Sequence, residues 1–169
     1  MIKINRQIFE RLQTTVEFFK NFSDEELFTF LKFMNPERFE DGEIIFEENA
    51  RGDKMFILIN GSVVISKLVE HESGVPTETE LATIKPGECF GEMGLIDQRA
   101  RSAKATAKGH TLLFSISDEM LTRISATRKF SLLSFKLYKN FAIMMVVRLR
   151  DSNQKIVEME SSANNRNLI

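Results

Sequence analysis

The sequence predicts an α+β fold: a β jelly-roll barrel of about eight short strands, set between N-terminal helices and a long C-terminal helix. Three observations predict it. Apolar segments of strand length, punctuated by glycine, fill residues 37–116. Apolar residues at helical spacing flank that region on both sides. One glycine-rich segment, GEMGLID, interrupts the strand pattern with what reads as a single helical turn inside the barrel.

From residue 5 to 20, NRQIFERLQTTVEFFK places Ile8, Phe9, Leu12, Val16 and Phe19 at helical spacing. In NFSDEELFTFLKFM, Ser23 with Glu26 three residues on is a capping-box signature, and Leu27, Phe30, Leu31 and Phe33 supply a buried face. After Pro36 the pattern becomes β. ERFE, EIIFEE, MFILIN, SVVISKLVE, TELATI, ECF, SAKATA and HTLLFSI read as strands, separated by turns such as Asp41-Gly42, Gly61, Pro86-Gly87 and Gly109. Helix returns at Ser117, the N-cap of SDEMLTRISA, which carries acids in its first turn. The stretch from Arg128 to Met159 contains no glycine or proline, and FAIMMVVRL within it is apolar at eight of nine positions. A helix with one buried face would show a stripe, so cover on two sides is expected there. The organisation is then one unit over 1–160, with helices at 1–35, barrel at 37–116 and helices at 117–160, followed by a polar tail at 161–169.

A chain of 169 residues is long enough for one domain with a proper core. The net charge of −1 and pI near 6.2 give no basic field for nucleic acid or anionic lipid. A single cysteine, Cys89, excludes an internal disulfide, suits a reducing compartment, and reads as a small core residue. The N-terminus has no apolar stretch of signal-peptide length. The run Phe141–Val147 is shorter than the roughly 20 residues that cross a bilayer. A cytoplasmic protein without a membrane partner is expected. His71 and His110 form no His-x-His pattern, so a barrel metal site is not expected. No serine or cysteine nucleophile has a plausible base. The chain is expected not to be an enzyme.

The chemistry concentrates in FGEMGLIDQRARSAKATA, residues 90–107. A helix start presents amides with no intrahelical partner. Gly91 lets a ligand approach the backbone, so the amides of Glu92 and Met93 can point at a phosphate. The guanidinium fork of Arg101 suits two phosphate oxygens. Ser102 offers a hydroxyl beside it, and Ala103 keeps the wall small. Arg99 lacks the Ser-Ala that follows Arg101 and reads as a loop charge. Glu92 would repel a lone phosphate, but it suits a ligand that also brings hydroxyl donors, as a ribose does. Phosphate and sugar hydroxyl side by side specify a nucleotide.

These residues resemble the phosphate-binding cassette of the cyclic-nucleotide-binding domain family, approximately F-G-E-[LM]-[AG]-L, a short loop, then P-R-[AST]-A. Phe90, Gly91, Glu92, Met93, Gly94 and Leu95 match, as do Arg101, Ser102 and Ala103. Ala100 stands where proline is common, which leaves the loop from Asp97 to Ala100 less rigid. FSDEELFTFL, GEIIFEEN, GDKMFILINGSV and LATIKPGECFGEM also follow the family's order, as does the closing helix. The resemblance implies that Glu92 accepts from a ribose 2′-hydroxyl and that Arg101 pairs with a cyclic phosphate, with the amides of Gly91 to Met93 and Ser102 completing the phosphate shell. In the bacterial catabolite-activator branch the long helix covers the base with polar residues. The matching stretch VRLRDSNQKI makes Ser152 and Asn153 the candidates. The implied function is a bacterial-type sensor of cAMP, with cGMP second, that uses no cofactor. The alternative is a degenerate fold, ligand-free or binding a cyclic dinucleotide, that acts as a protein-interaction module with Glu92 and Arg101 as an ion pair bracing a turn. Only about ten residues, mostly polar, follow Met159, too few for a recognition helix and its support, so direct DNA binding is not expected and an unknown effector protein would carry the signal. Tyr138, Phe141, Met145, Leu149, Ser152, Ile156 and Met159 step by three or four, the seam of a helix pair, which predicts a homodimer.

Overall fold

The computed structural model describes residues 6–70 and 74–166. Helix α1 spans Arg6–Thr15 and α2 spans Asp24–Leu31, with a 3-10 turn at Glu17–Phe19 between them. The first helix is shorter than its apolar spacing suggests, because TTV ends it. The Thr15 hydroxyl bonds back to the Arg11 carbonyl at 2.6 Å, a local bond that competes with helix continuation. Val16 is extended at φ −91 and ψ 103. The resulting bend drops Phe18 and Phe19 into the core. The capping box at α2 is complete in both directions.

Among the described residues there are six strands, β1 Asn35–Phe39, β2 Ile44–Phe46, β3 Lys54–Val69, β4 Thr77–Ile84, β5 Cys89–Phe90 and β6 Lys104–Ser117. All pairs are antiparallel. The order is β1-β6-β3-β4, with β2 also on β6 and β5 also on β3. The eight segments read from the sequence become six because four of them merge. MFILIN and SVVISKLVE are one strand of 16 residues, and SAKATA and HTLLFSI one strand of 14. Gly61 and Gly109, both at positive φ, lie inside these strands. Register shifts between Leu58 and Ser62 mark bulges where β3 and β6 bend together.

Strand β3 explains the division of the core. Its run MFILI is apolar without alternation because both faces are covered. Met55, Ile57 and Ile59 pack with Phe19, Phe30 and other helical residues. Phe56 and Leu58 point the other way, toward Val63, Ile84, Phe90 and Leu113 inside the barrel.

Helix α3 covers Glu92–Asp97, α4 Asp118–Ala126 and α5 Ser131–Arg166. At 36 residues, α5 is about 54 Å long at 1.5 Å per residue. It continues through 161–166, which the sequence reading assigned to a polar tail, because nothing there breaks a helix. Residues 167–169 lie outside the described residues. Leu133, Leu137 and Phe141 are buried, and the Phe141 ring sits 4.8 Å from that of Phe18. Lys136 reaches Glu26 at 2.6 Å, and Asn140 Nδ2 donates to the Phe18 carbonyl at 2.7 Å.

Phe141 therefore belongs to the face that packs on the domain and is not part of the outer seam expected for it. One residue on, Ala142 is exposed. The opposite face, with Phe135, Tyr138, Val146 and Leu149, is exposed in this chain, so only one side of the helix is covered. Over Arg128–Met159 the helix is long and apolar enough, by length and composition, to cross a membrane. The run Phe141–Val147 did not suggest this. Its first half is nonetheless packed on the domain through the residues just named.

Candidate functional site

The glycine-rich segment is set on the barrel by backbone contacts from the turn before β3. Arg101 N donates to Ala50 O at 2.8 Å, and Asn49 N donates to Arg101 O at 2.9 Å. A Cβ on Gly52 would lie 2.8 Å from Gly94 Cα and 2.7 Å from Arg99 O. Two glycines thus let α3 rest directly on the turn. The loop Asp97–Ala100, which lacks the family's proline, is pinned at its end by a bridge between Arg51 and Ala100.

Gly91 closes β5 in the left-handed region at φ 76, and a Cβ there would come within 2.8 Å of Arg101 Nη1. Only glycine allows both the turn and the arginine beside it. The turn directs Glu92 inward, where it is wholly buried, while Arg101 is 5% exposed. Arg101 Nη1 donates to Gly91 O at 2.6 Å. Its guanidinium lies over Phe46, 4.2 Å from the ring centroid, and more loosely over Phe56. Burial lowers the Arg101 pKa, opposed by the charges of Asp53 and Glu92.

Glu92 Oε1 accepts from Arg148 Nη1, and Arg148 Nη2 donates to the Cys89 carbonyl. Glu92 is paired with α5, and no ion pair joins it to Arg101 among the described residues. Glu92 Oε2 and Arg101 Nε, both buried, have no hydrogen-bond partner. An unsatisfied buried polar atom costs about 1–3 kcal/mol. Here the two are an acceptor and a donor in one site, which suits a ligand carrying both a hydroxyl and an anion.

The structure brings together Phe90, Gly91, Glu92, Gly94, Arg101 and Ala103, all buried or half-buried. Phe90 stacks on Phe56 at 5.2 Å. Met93 is 52% exposed, and Ser102 is also exposed, so neither is enclosed with the other cassette residues. Ser152 and Asn153 are exposed on α5, and α5 meets the site one turn earlier, at Arg148. Sequence reasoning missed Arg148, although it is the single charge in FAIMMVVRL.

Burial, reinforced by the Glu92 charge, pushes the Cys89 thiol up to about 12, so it stays protonated. His110 is exposed beside Glu40, and His71 lies outside the described residues. Among the described residues no group of three or more His, Cys, Asp or Glu could hold a metal ion. A cavity of about 230 Å³ lies away from the glycine-rich segment, lined by Arg11, Thr15, Leu58 and Gly87 among others.

Residues 36–128 match the family model of the cyclic nucleotide-binding domain. The chain is 28% identical over 138 residues to the cyclic AMP receptor protein of Thermus thermophilus, covering 82% of this chain and 59% of that protein. It is 25% identical over 123 residues to the cAMP-dependent protein kinase regulatory subunit of Dictyostelium discoideum, covering 70% of this chain and 36% of that one. The chain thus spans about a third to three-fifths of the length of these curated relatives. Its fold resembles the crystal structure of a cyclic nucleotide-binding domain from Methylobacillus flagellatus, with a TM-score of 0.79 at 23% identity, covering 89% of this chain and 83% of that one.

Proposed function

The chain belongs to the cyclic nucleotide-binding domain family, and from that premise we propose that it is a non-enzymatic sensor of cAMP, ahead of cGMP. The observation that carries this reading is the pair of unsatisfied buried atoms, Glu92 Oε2 and Arg101 Nε. Arg101 takes the cyclic phosphate through its free edge, helped by the amides of Gly91 to Met93 and the Ser102 hydroxyl. Glu92 accepts the ribose 2′-hydroxyl on Oε2 while Arg148 keeps Oε1. The charges support this division. Arg148 offsets the Glu92 charge and so removes the repulsion that Glu92 alone would exert on a phosphodiester monoanion, leaving Arg101 to pair with it.

The signal leaves through α5. Arg148 ties the Glu92 contact to that helix, so a ligand that prefers one arrangement of Glu92 biases the position of α5. Phe135, Tyr138, Ala142, Leu149, Ser152, Ile156 and Met159 are exposed and Met145 is half-buried; together they recur at alternating steps of about three and four, the spacing of a two-helix seam. A second copy of the chain is the occupant that fits it, in a homodimer read by an effector protein. Ser152 and Asn153 lie on the same helix, about one turn and nearly one and a half turns beyond Arg148, and are the candidates to meet the base. A cytoplasmic setting, without direct DNA or membrane contact by this domain, goes with this role.

Titration calorimetry with cAMP, cGMP, 2′-deoxy-cAMP and a cyclic dinucleotide tests it. Saturable binding of cAMP is expected, weakened about 10- to 150-fold without the 2′-hydroxyl, the value of a hydrogen bond to a charged group. Glu92→Ala should no longer distinguish the two forms. A chain that binds no cyclic mononucleotide would be a ligand-free interaction module or, if only the dinucleotide binds, a receptor of another class.

A further inference from the structure

Strand β2 contains an irregularity whose effect reaches Arg101. In regular alternation Ile44 and Phe46 would share one face, and Ile44 is 47% exposed. Between them the pairing with β6 shifts, Ile44 standing opposite Thr106 and Phe46 opposite Ala105. Such a bulge re-aims the side chain that follows it. Phe46 consequently turns inward and joins a three-ring stack, 5.9 Å from Phe56 and 6.0 Å from Phe90. Phe56 and Phe90 are buried, and the half-buried Phe46 ring carries the Arg101 guanidinium at 4.2 Å.

We propose that Phe46 is a positioning residue for the anion site, its ring holding the flat face of the Arg101 guanidinium so that the in-plane Nε edge is left for the ligand. This rests on the reading that Arg101 takes the phosphate. All five guanidinium donors lie in the plane of the group. A partner on the face therefore fixes the cation without using any of them, whereas a carboxylate partner would use two. The attraction of a cation to a ring face strengthens when water is excluded, and Arg101 is nearly enclosed. An aliphatic side chain at 46 would fill similar space without that attraction, leaving Arg101 to turn toward Asp53, whose charge already acts on it.

The test is a double-mutant cycle of Phe46→Leu with Arg101→Met, which keeps the arginine stem, together with Phe46→Tyr as the aromatic rescue. Phe46→Leu should weaken cAMP binding about 5- to 30-fold, the fold-change for a desolvated cation–ring contact. Phe46→Tyr should stay within about 3-fold of the parent, because the ring face is kept. In the Arg101→Met background Phe46→Leu should change affinity less than about 2-fold, as coupled residues do. Equal losses in both backgrounds would make the ring a mere wall and overturn the proposal. The contact itself is read without ligand from the Arg101 Nε–Hε resonance, which ring current should shift in the parent and not in Phe46→Leu. An unshifted parent resonance overturns the proposal whatever binds. A shifted resonance in a chain that binds no cyclic nucleotide sinks the cAMP assignment and, with no anion to position for, the proposal with it; the resonance tells these two failures apart.

Discussion

Replacing Arg148 with methionine removes the charge facing Glu92 while keeping most of the stem. Glu92 is wholly buried, with Oε1 held by Arg148 and Oε2 without a partner. The substitution leaves the carboxylate with neither oxygen bonded. Deleting one partner of a buried ion pair costs about 3–5 kcal/mol. The Arg148 side chain is 40% exposed, so water already screens part of the interaction, and a loss of about 1.5–3 kcal/mol is the better expectation. For a domain of this size that is a fall of roughly 3–12 °C in Tm. Urea unfolding followed by circular dichroism would measure it. Adding Glu92→Gln should recover more than half of the loss, because a neutral amide tolerates the site better than an unpaired carboxylate. A midpoint unchanged by Arg148→Met, or a loss that Glu92→Gln does not relieve, would refute the view that this contact locks α5 to the site.

Three further outcomes follow from the same geometry. Gly52→Ala, whose new Cβ would meet the Gly94 and Arg99 backbones below 3 Å, should lift α3 from its turn. The expected cost is about 1–3 kcal/mol of stability, and an unchanged melting curve would show that the close approach is not needed. Leu149→Glu or Met145→Glu should convert a dimer to a monomer in sedimentation velocity by putting a charge in the seam. A parent already monomeric at micromolar concentration would remove the seam. Glu26, joined to Lys136 at 2.6 Å, is pulled in two directions. Burial raises its pKa, but the Lys136 and Ser23 bonds outweigh that and leave it lowered. A lowered folded-state pKa gives stability that is full above the unfolded value and is lost as pH falls through the folded one. The gap of about 0.5–1 kcal/mol between parent and Glu26→Gln should therefore be open at pH 7 and shrink as pH falls below the ordinary carboxylate range, and a gap independent of pH would contradict the pairing.

The cassette was legible because its constraints are local. Gly91, Glu92 and Arg101 lie within a dozen residues, and each has a backbone or charge reason that its neighbours repeat. The capping box at Ser23 was legible for the same reason. What escaped depends on distant parts of the chain meeting. Arg148 is 56 positions from Glu92, and its apolar neighbours give no stripe to say which face of α5 turns to the barrel. The same uncertainty put Phe141 in the outer seam, since one residue is about 100° of helix rotation. Gly61 and Gly109 read as turns because a positive-φ glycine serves a turn or a bulge equally well. Phe46 was hidden by its bulge, since regular alternation would have left it outside.

The most direct test of the central claim is the binding of cAMP to the parent and to Arg101→Ala by titration calorimetry. The phosphate assignment predicts saturable binding to the parent and a loss of about 2–5 kcal/mol in the variant, roughly 30-fold to a few thousand-fold in Kd. Equal affinities, or a parent that takes up no cyclic nucleotide, would contradict it.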